Sequence, residues 1–186
     1  MPTQHPERQP FDVLVVDDDR DIRDLLGEYF RGRGFEVDIA ADGPAALAMI
    51  RQAPTRYGLV VTDLQMPGAD GLAVLKAARE GNASAYVVII TGFASLDSAI
   101  QAVRLGAYDY LTKPFSLGQI DVTVRRILDR LALDSENRQL TRQVIERGST
   151  EAVPAVAVRL DSIEARLVRF ETLLRELVDR RETGRR

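Results

Sequence analysis

The stretch FDVLVVDDDRDIRDLLGEYFRGRG, residues 11–34, carries a complete strand–turn–helix unit, and its reading decides the fold. Residues 11–16 are a compact apolar run, short enough for a strand buried on both faces. Three acids, Asp17, Asp18 and Asp19, close it. Residues 21–33 then read as a helix with Ile22, Leu25, Leu26, Tyr29 and Phe30 on one face, and Gly34 as its terminating glycine. Working outward, the same unit recurs. Strands are expected at 35–40, 58–62, 86–90 and 107–111. Helices are expected at 43–52, 70–80 and 95–105, the last with Ser95 as N-cap, and a fifth begins near Ser116. Five strands alternating with helices predict an α/β fold: a flavodoxin-like, five-stranded parallel sheet with helices on both faces. Right-handed crossovers put the loops after the strands on one edge, where such sheets carry their sites.

Composition narrows the chemistry. Of 186 residues, 45% are apolar, enough for a real core. The net charge of −3 argues against a chain built throughout to coat nucleic acid. With no cysteine, disulfides, thiolate catalysis and cysteine zinc sites are excluded. The one histidine, His5, sits in a polar start, so histidine metal sites and triads are excluded too. The first ten residues hold no apolar signal region, and no run approaches the roughly 20 apolar residues of a bilayer span. A cytoplasmic protein without membrane contact is the expectation.

The chemistry-bearing residues fall just after strand runs: Asp17-Asp18-Asp19, Asp63, Thr91 and Lys113-Pro114. Singly each has a plainer reading. An Asp after a strand is a turn residue or cap, a run of acids is solvated surface, and Lys-Pro is a common loop pair. Jointly they converge on one edge from the ends of four strands. Carboxylates gathered there repel one another unless a cation sits among them, and hard oxygen ligands suit Mg²⁺, with Mn²⁺ as the alternative. Such a cation beside a carboxylate nucleophile is suited to making an aspartyl-phosphate.

The segments VLVVDDD (13–19), VVTDLQMPGADGL (60–72), VVIITG (87–92) and GAYDYLTKPF (106–115) together resemble a two-component response-regulator receiver domain of the chemotaxis type. The wording TGFASLDSAIQAVRLGAYDYLTKPF is closest to receivers of the nitrogen-regulator subfamily. The resemblance implies that Asp63 is the phosphoacceptor, served by a histidine kinase or phosphotransfer protein. It implies a metal site of Asp17, Asp18, Asp63 and the backbone carbonyl of Gln65. Thr91 and Lys113 would contact the phosphoryl group, and Thr91 and Tyr110 would form the switch pair. It also implies a cis Lys113–Pro114 bond and leaves Asp19 facing solvent or capping the first helix. That subfamily usually continues into ATPase and DNA-binding domains, yet no GxxxxGK[ST] phosphate loop follows Gly148 in these residues.

The rest reads as a helical, coiled-coil extension. The expected division is a flexible tail at 1–10, the receiver at 11–133, an extension of helix five at 134–147, a linker at 148–155, a helix at 156–181 and a basic tail at 182–186. Val156, Leu160, Ile163, Leu167, Phe170, Leu174 and Leu177 alternate in steps of four and three, a heptad seam. A short helix needs something to bury that stripe. A homodimer, a fold back onto the chain and a helical partner protein compete. The expected function is a phosphorylation switch, not a metabolic enzyme, with output through protein contacts. DNA binding through the extension is the alternative; a non-switching adaptor and a flavin or nucleotide binder rank below it.

Overall fold

The computed structural model describes residues 9–146. Residues 1–8 with His5, the linker at 148–155, the helix expected at 156–181 with its seam from Val156 to Leu177, and the basic tail lie outside the described residues. In chain order the elements are β1 (Asp12–Val16), α1 (Arg20–Arg31), β2 (Val37–Ala40), α2 (Gly43–Gln52), β3 (Tyr57–Asp63), α3 (Gly71–Gly81), β4 (Tyr86–Thr91), α4 (Leu96–Leu105), β5 (Asp109–Thr112) and α5 (Leu117–Glu146). The five strands form one parallel sheet in the order β2-β1-β3-β4-β5. From β1 the chain steps outward to β2 and then crosses to β3. That reversal opens a crevice at the carboxyl ends of β1 and β3.

Alternation along the strands divides the core. Leu14, Val16, Val60, Val87 and Ile89 join Ala46, Ile50, Val74, Leu75, Ala78, Ala99 and Ala102 in one cluster. These residues seat α2, α3 and α4 side by side on one face of the sheet. The alanines let those helices approach closely. The opposite parity, Val13, Val15, Leu59 and Val61, is equally buried. On that face α1 packs against β1 and β2. It brings Leu26 and Phe30, both essentially fully buried. Phe30 meets Phe35 edge-on at 5.7 Å, and Phe35 meets Phe11 at 5.2 Å. Each such burial contributes about 1.5–3 kcal/mol.

Several boundaries differ from the sequence reading, each for a local reason. Asp63 and Thr91 are strand residues, because Asp63 pairs in register with Ile90 and Thr91 with Thr112. β2 begins at Val37, since Phe35 is committed to the aromatic cluster. β5 begins at Asp109, since the Ala107 amide donates to Ala102 and finishes the turn out of α4. α1 ends at Arg31 with Gly32 as its C-cap, while Gly34 holds the left-handed turn residue (φ 84°) before Phe35.

Residues up to Phe115 gather into one compact unit, and α5 is the described part of a second. By itself α5 is 30 residues, about 45 Å of helix. Its buried residues, Ile120, Thr123, Val124 and Ile127, fall at steps of three, one and three. From residue 128 to 139 no side chain is buried, and Leu133 is 60% exposed. No described helix is long and apolar enough to cross a membrane.

Candidate functional site

The crevice is built from strand ends. β1 delivers Asp17 and Asp18, β3 delivers Asp63, β4 delivers Thr91, and the loop after β5 delivers Lys113. Carboxylate oxygens of Asp17, Asp18 and Asp63 lie within 4.8 Å of one another. Asp17 and Asp63 are buried, at 2% and 7% exposure, whereas Asp18 is exposed. Between the two buried acids sits the Lys113 ammonium, donating to Asp17 Oδ2 at 2.8 Å and to Asp63 Oδ2 at 2.6 Å. The Lys113–Pro114 peptide bond is cis, and the Lys113 amide donates to Thr91 O at 2.8 Å.

Electrostatics follow from this packing. Burial pushes the Asp17 carboxyl above its ordinary value, against the hydrogen bonds from Lys113 and the Asp19 amide; the Asp63 charge adds to the rise. Burial alone would lower Lys113, but its bonds to Asp17 and Asp63 outweigh that and leave it raised, so it stays charged. Three carboxylates and one ammonium leave about two negative charges to be balanced. The donor set of hard carboxylate oxygens, gathered within 4.8 Å of one another, suits a divalent cation such as Mg²⁺. Asp17, Asp18 and Asp63 would hold such an ion.

Asp63 is fixed by its backbone as well as its partners. Its Oδ1 accepts the Gln65 amide at 3.1 Å, and its carbonyl accepts the Thr62 hydroxyl at 2.9 Å. A Cβ at Gly71 would stand 2.1 Å from that same carbonyl oxygen, so the start of α3 is pressed against the acid's own peptide. Only a residue without a side chain permits that approach. Gln65 itself is exposed, two residues beyond Asp63.

Thr91 is fully buried, and its Oγ1 accepts the Phe93 amide at 3.1 Å. Tyr110, the other member of the expected switch pair, is buried at 3% exposure. Its hydroxyl is 2.9 Å from Ser98 Oγ, and Ser98 forms a reciprocal capping box with Ser95 at the start of α4. Burial pushes the Tyr110 phenol up, with the Ser98 bond opposing. Asp19 is the N-cap of α1, its side chain accepting the Asp21 amide at 2.9 Å, and so is spoken for outside the acidic cluster.

Two participants were not singled out from sequence. Ser98 belongs to the ordinary polar face of a helix, and nothing in its spacing announces Tyr110. Arg23 reaches back from α1 to donate to Asp17 O at 2.7 Å. A helix-face arginine gives no sequence signal of that contact. Beside the site runs an open groove of about 410 Å³ lined by Asp19, Ile22, Leu25, Lys113, Pro114 and Phe115.

The family model for the response regulator receiver domain matches residues 13–125. Among relatives, the C4-dicarboxylate transport transcriptional regulatory protein DctD of Pseudomonas aeruginosa is 38% identical over 147 residues, covering 74% of this chain and 30% of DctD. A putative NtrX-like response regulator of Rickettsia bellii is 32% identical over 138 residues, covering 73% of this chain and 28% of the relative. The chain thus spans under a third of the length of these curated relatives. The crystal structure of a response regulator receiver domain protein from Clostridium thermocellum matches with a TM-score of 0.61 at 28% identity, over 66% of this chain and 98% of that one.

Proposed function

Because the chain belongs to the response-regulator receiver family, we propose that it is a phosphorylation switch in which Asp63 takes a phosphoryl group from a histidine kinase or phosphotransfer protein. One observation carries the reading: two buried acids and an exposed third share a cleft around a single lysine ammonium. Clusters of that kind are costly to fold and have no structural task that apolar residues would not serve better.

In the proposed step a carboxylate oxygen of Asp63 attacks the phosphorus of a phosphoramidate donor. A P–O bond forms, the P–N bond breaks, and the leaving imidazole nitrogen takes up a proton. Mg²⁺, held by Asp17, Asp18, Asp63 and the Gln65 carbonyl, supplies charge neutralisation and alignment of the phosphoryl oxygens. Lys113, kept charged by its two acids, exchanges one carboxylate partner for a phosphoryl oxygen. Thr91 Oγ1 gives up the Phe93 amide to donate to another. Phosphorylation adds about −1.5 to −2 charges at Asp63, which biases this set between two arrangements. With Tyr110 tied to the cap of α4, a shift of Thr91 and the loop behind it reaches that helix directly. The groove beside Lys113 and Leu25 suits the approach of the phosphoryl donor's helix.

Output is assigned to α5 and the residues after it, through protein contacts or dimerisation. The stretch of α5 from residue 128 to 139, where no side chain is buried, supports this, because isolated helical turns are marginal in water. A second reading, DNA binding through the extension, takes its support from the transcriptional role printed for relatives such as DctD. Salt-dependent association with duplex DNA separates the two.

The test of the site is chemical. Incubated with acetyl phosphate and Mg²⁺, the protein is expected to gain one acid-labile phosphoryl group, and Asp63→Asn none. Equal labelling of the two proteins would overturn the assignment.

A further inference from the structure

We propose that Arg23 is a positioning residue for the cation site, acting through the direction in which Asp18 leaves the backbone. The inference rests on the reading of the acidic cleft given above and goes beyond it.

Among the three acids, Asp18 is the one whose side chain nothing else holds. Asp17 is engaged at every polar atom. Its amide donates to Ala40 O at 3.3 Å, Oδ1 accepts the Asp19 amide at 2.9 Å, and Oδ2 takes Lys113 at 2.8 Å. Its carbonyl takes Arg23 at 2.7 Å. Asp63 is a paired strand residue with both carboxylate oxygens bonded. Asp18, by contrast, is exposed, and among the described residues its carboxylate has no hydrogen-bond or ion-pair partner. Its aim is therefore set by the two peptide planes that flank it.

Both planes are pinned, and each by a different group. The plane between Asp18 and Asp19 is held by the Asp19 amide on Asp17 Oδ1. The plane between Asp17 and Asp18 is held by the Arg23 guanidinium on Asp17 O. Past the end of β1 no sheet ladder does this work, because Val16 is the last β1 residue paired to a neighbouring strand. Arg23 supplies the missing anchor from the first turn of α1, itself fixed by the Asp19 cap. The guanidinium also brings a positive charge to the rim of an acidic cluster without entering it. Groups that orient a ligand from behind typically govern affinity by 10–100-fold when removed, at a rough estimate.

The experiment measures Mg²⁺ affinity by calorimetry on the full chain and on Arg23→Gln, Arg23→Lys, Asp18→Asn and the double variant Arg23→Gln/Asp18→Asn. Thermal melting without Mg²⁺ is recorded on each. Arg23→Gln is expected to bind Mg²⁺ about tenfold more weakly while its melting temperature without the ion stays close to that of the unsubstituted chain. Arg23→Lys, which keeps a charged donor on a chain long enough to reach Asp17 O where the shorter Gln does not, should recover most of the affinity. In the Asp18→Asn background the same Arg23→Gln change should cost little further, because the side chain it aims has lost its charge. Affinity in Arg23→Gln within twofold of the original overturns the proposal. So does a loss that persists undiminished beside Asp18→Asn, since Arg23 would then act on something other than Asp18. If the unsubstituted chain binds no Mg²⁺, the reading of the cleft fails and this proposal with it, an outcome distinct from an indifferent Arg23.

Discussion

Lys113 is the single positive charge on which the buried half of the cleft depends. Its ammonium separates Asp17 from Asp63, and removing it leaves two carboxylates facing each other with little water to screen them. Lys113→Met is therefore expected to lower stability by about 2–4 kcal/mol without divalent ions. Mg²⁺ should restore more stability to the variant than it adds to the unsubstituted protein. Urea unfolding with and without Mg²⁺ reads both, and equal increments from Mg²⁺ would contradict the shared-cation picture. At this scale the sequence was informative where a residue type is unusual for its place. Acids and a lysine at strand ends are such cases, and Asp17, Asp18, Asp63 and Lys113 were all legible. Arg23 and Ser98 were not. An arginine or serine on a helix is what any solvated face carries, and their partners, Asp17 O and Tyr110 Oη, are brought near only by folding.

Elements enter the site through their ends. α3 starts with Asp70 as N-cap, its side chain accepting the Ala73 amide at 2.8 Å, and its first residue, Gly71, donates to Leu64 O at 2.9 Å. The helix is thus clamped onto the peptide that follows Asp63. A methyl group at position 71 would meet Asp63 O, with Leu64 Cα 3.0 Å away, and both are backbone atoms that no rotamer change moves aside. Gly71→Ala should cost more than about 2 kcal/mol by overpacking and should slow acetyl phosphate labelling at Asp63 in the fraction that remains folded. Thermal melting paired with single-turnover labelling reads both effects. Normal stability in Gly71→Ala would show that the contact is slack. Element identity was legible because apolar runs and helical periods seldom coincide, and all ten elements fall where those patterns put them. Their ends were less so: β3 and β4 reach Asp63 and Thr91 because neighbouring strands offer paired backbone there, a fact of register that no single strand encodes.

Across the whole unit, the edge of the sheet opposite the cleft is tied by a second charged cluster. Arg56 bridges Asp12 and Asp38, both at 2.9 Å, and the Tyr57 hydroxyl donates to Asp38 at 2.7 Å, so β1, β2 and β3 are laced together. Burial first, and then the bond to Asp38, pushes the Tyr57 phenol from 10.0 to about 12. A folded value raised above the unfolded one means that the phenol's contribution is fully present below pH 10. It is lost as pH climbs toward about 12. The shift corresponds to about 3 kcal/mol. Tyr57→Phe should lose about 1 kcal/mol at neutral pH and should show a shallower alkaline decline than the original; urea midpoints across pH 8 to about 11 read the difference. Parallel decline in both proteins would assign the alkaline loss elsewhere. The sequence did not foretell this lacing, because Asp12, Asp38 and Arg56 meet only once three strands are ordered side by side. One further consequence belongs to the sheet as a body. Asp63 closes β3, the central strand of the sheet, and pairs there with Ile90 of β4, so the acid proposed as acceptor is held by the sheet. It cannot retreat to make room for an incoming charge. In the proposed switch the rim must yield instead, and the sheet would serve as the anvil against which a covalent event is turned into displacement.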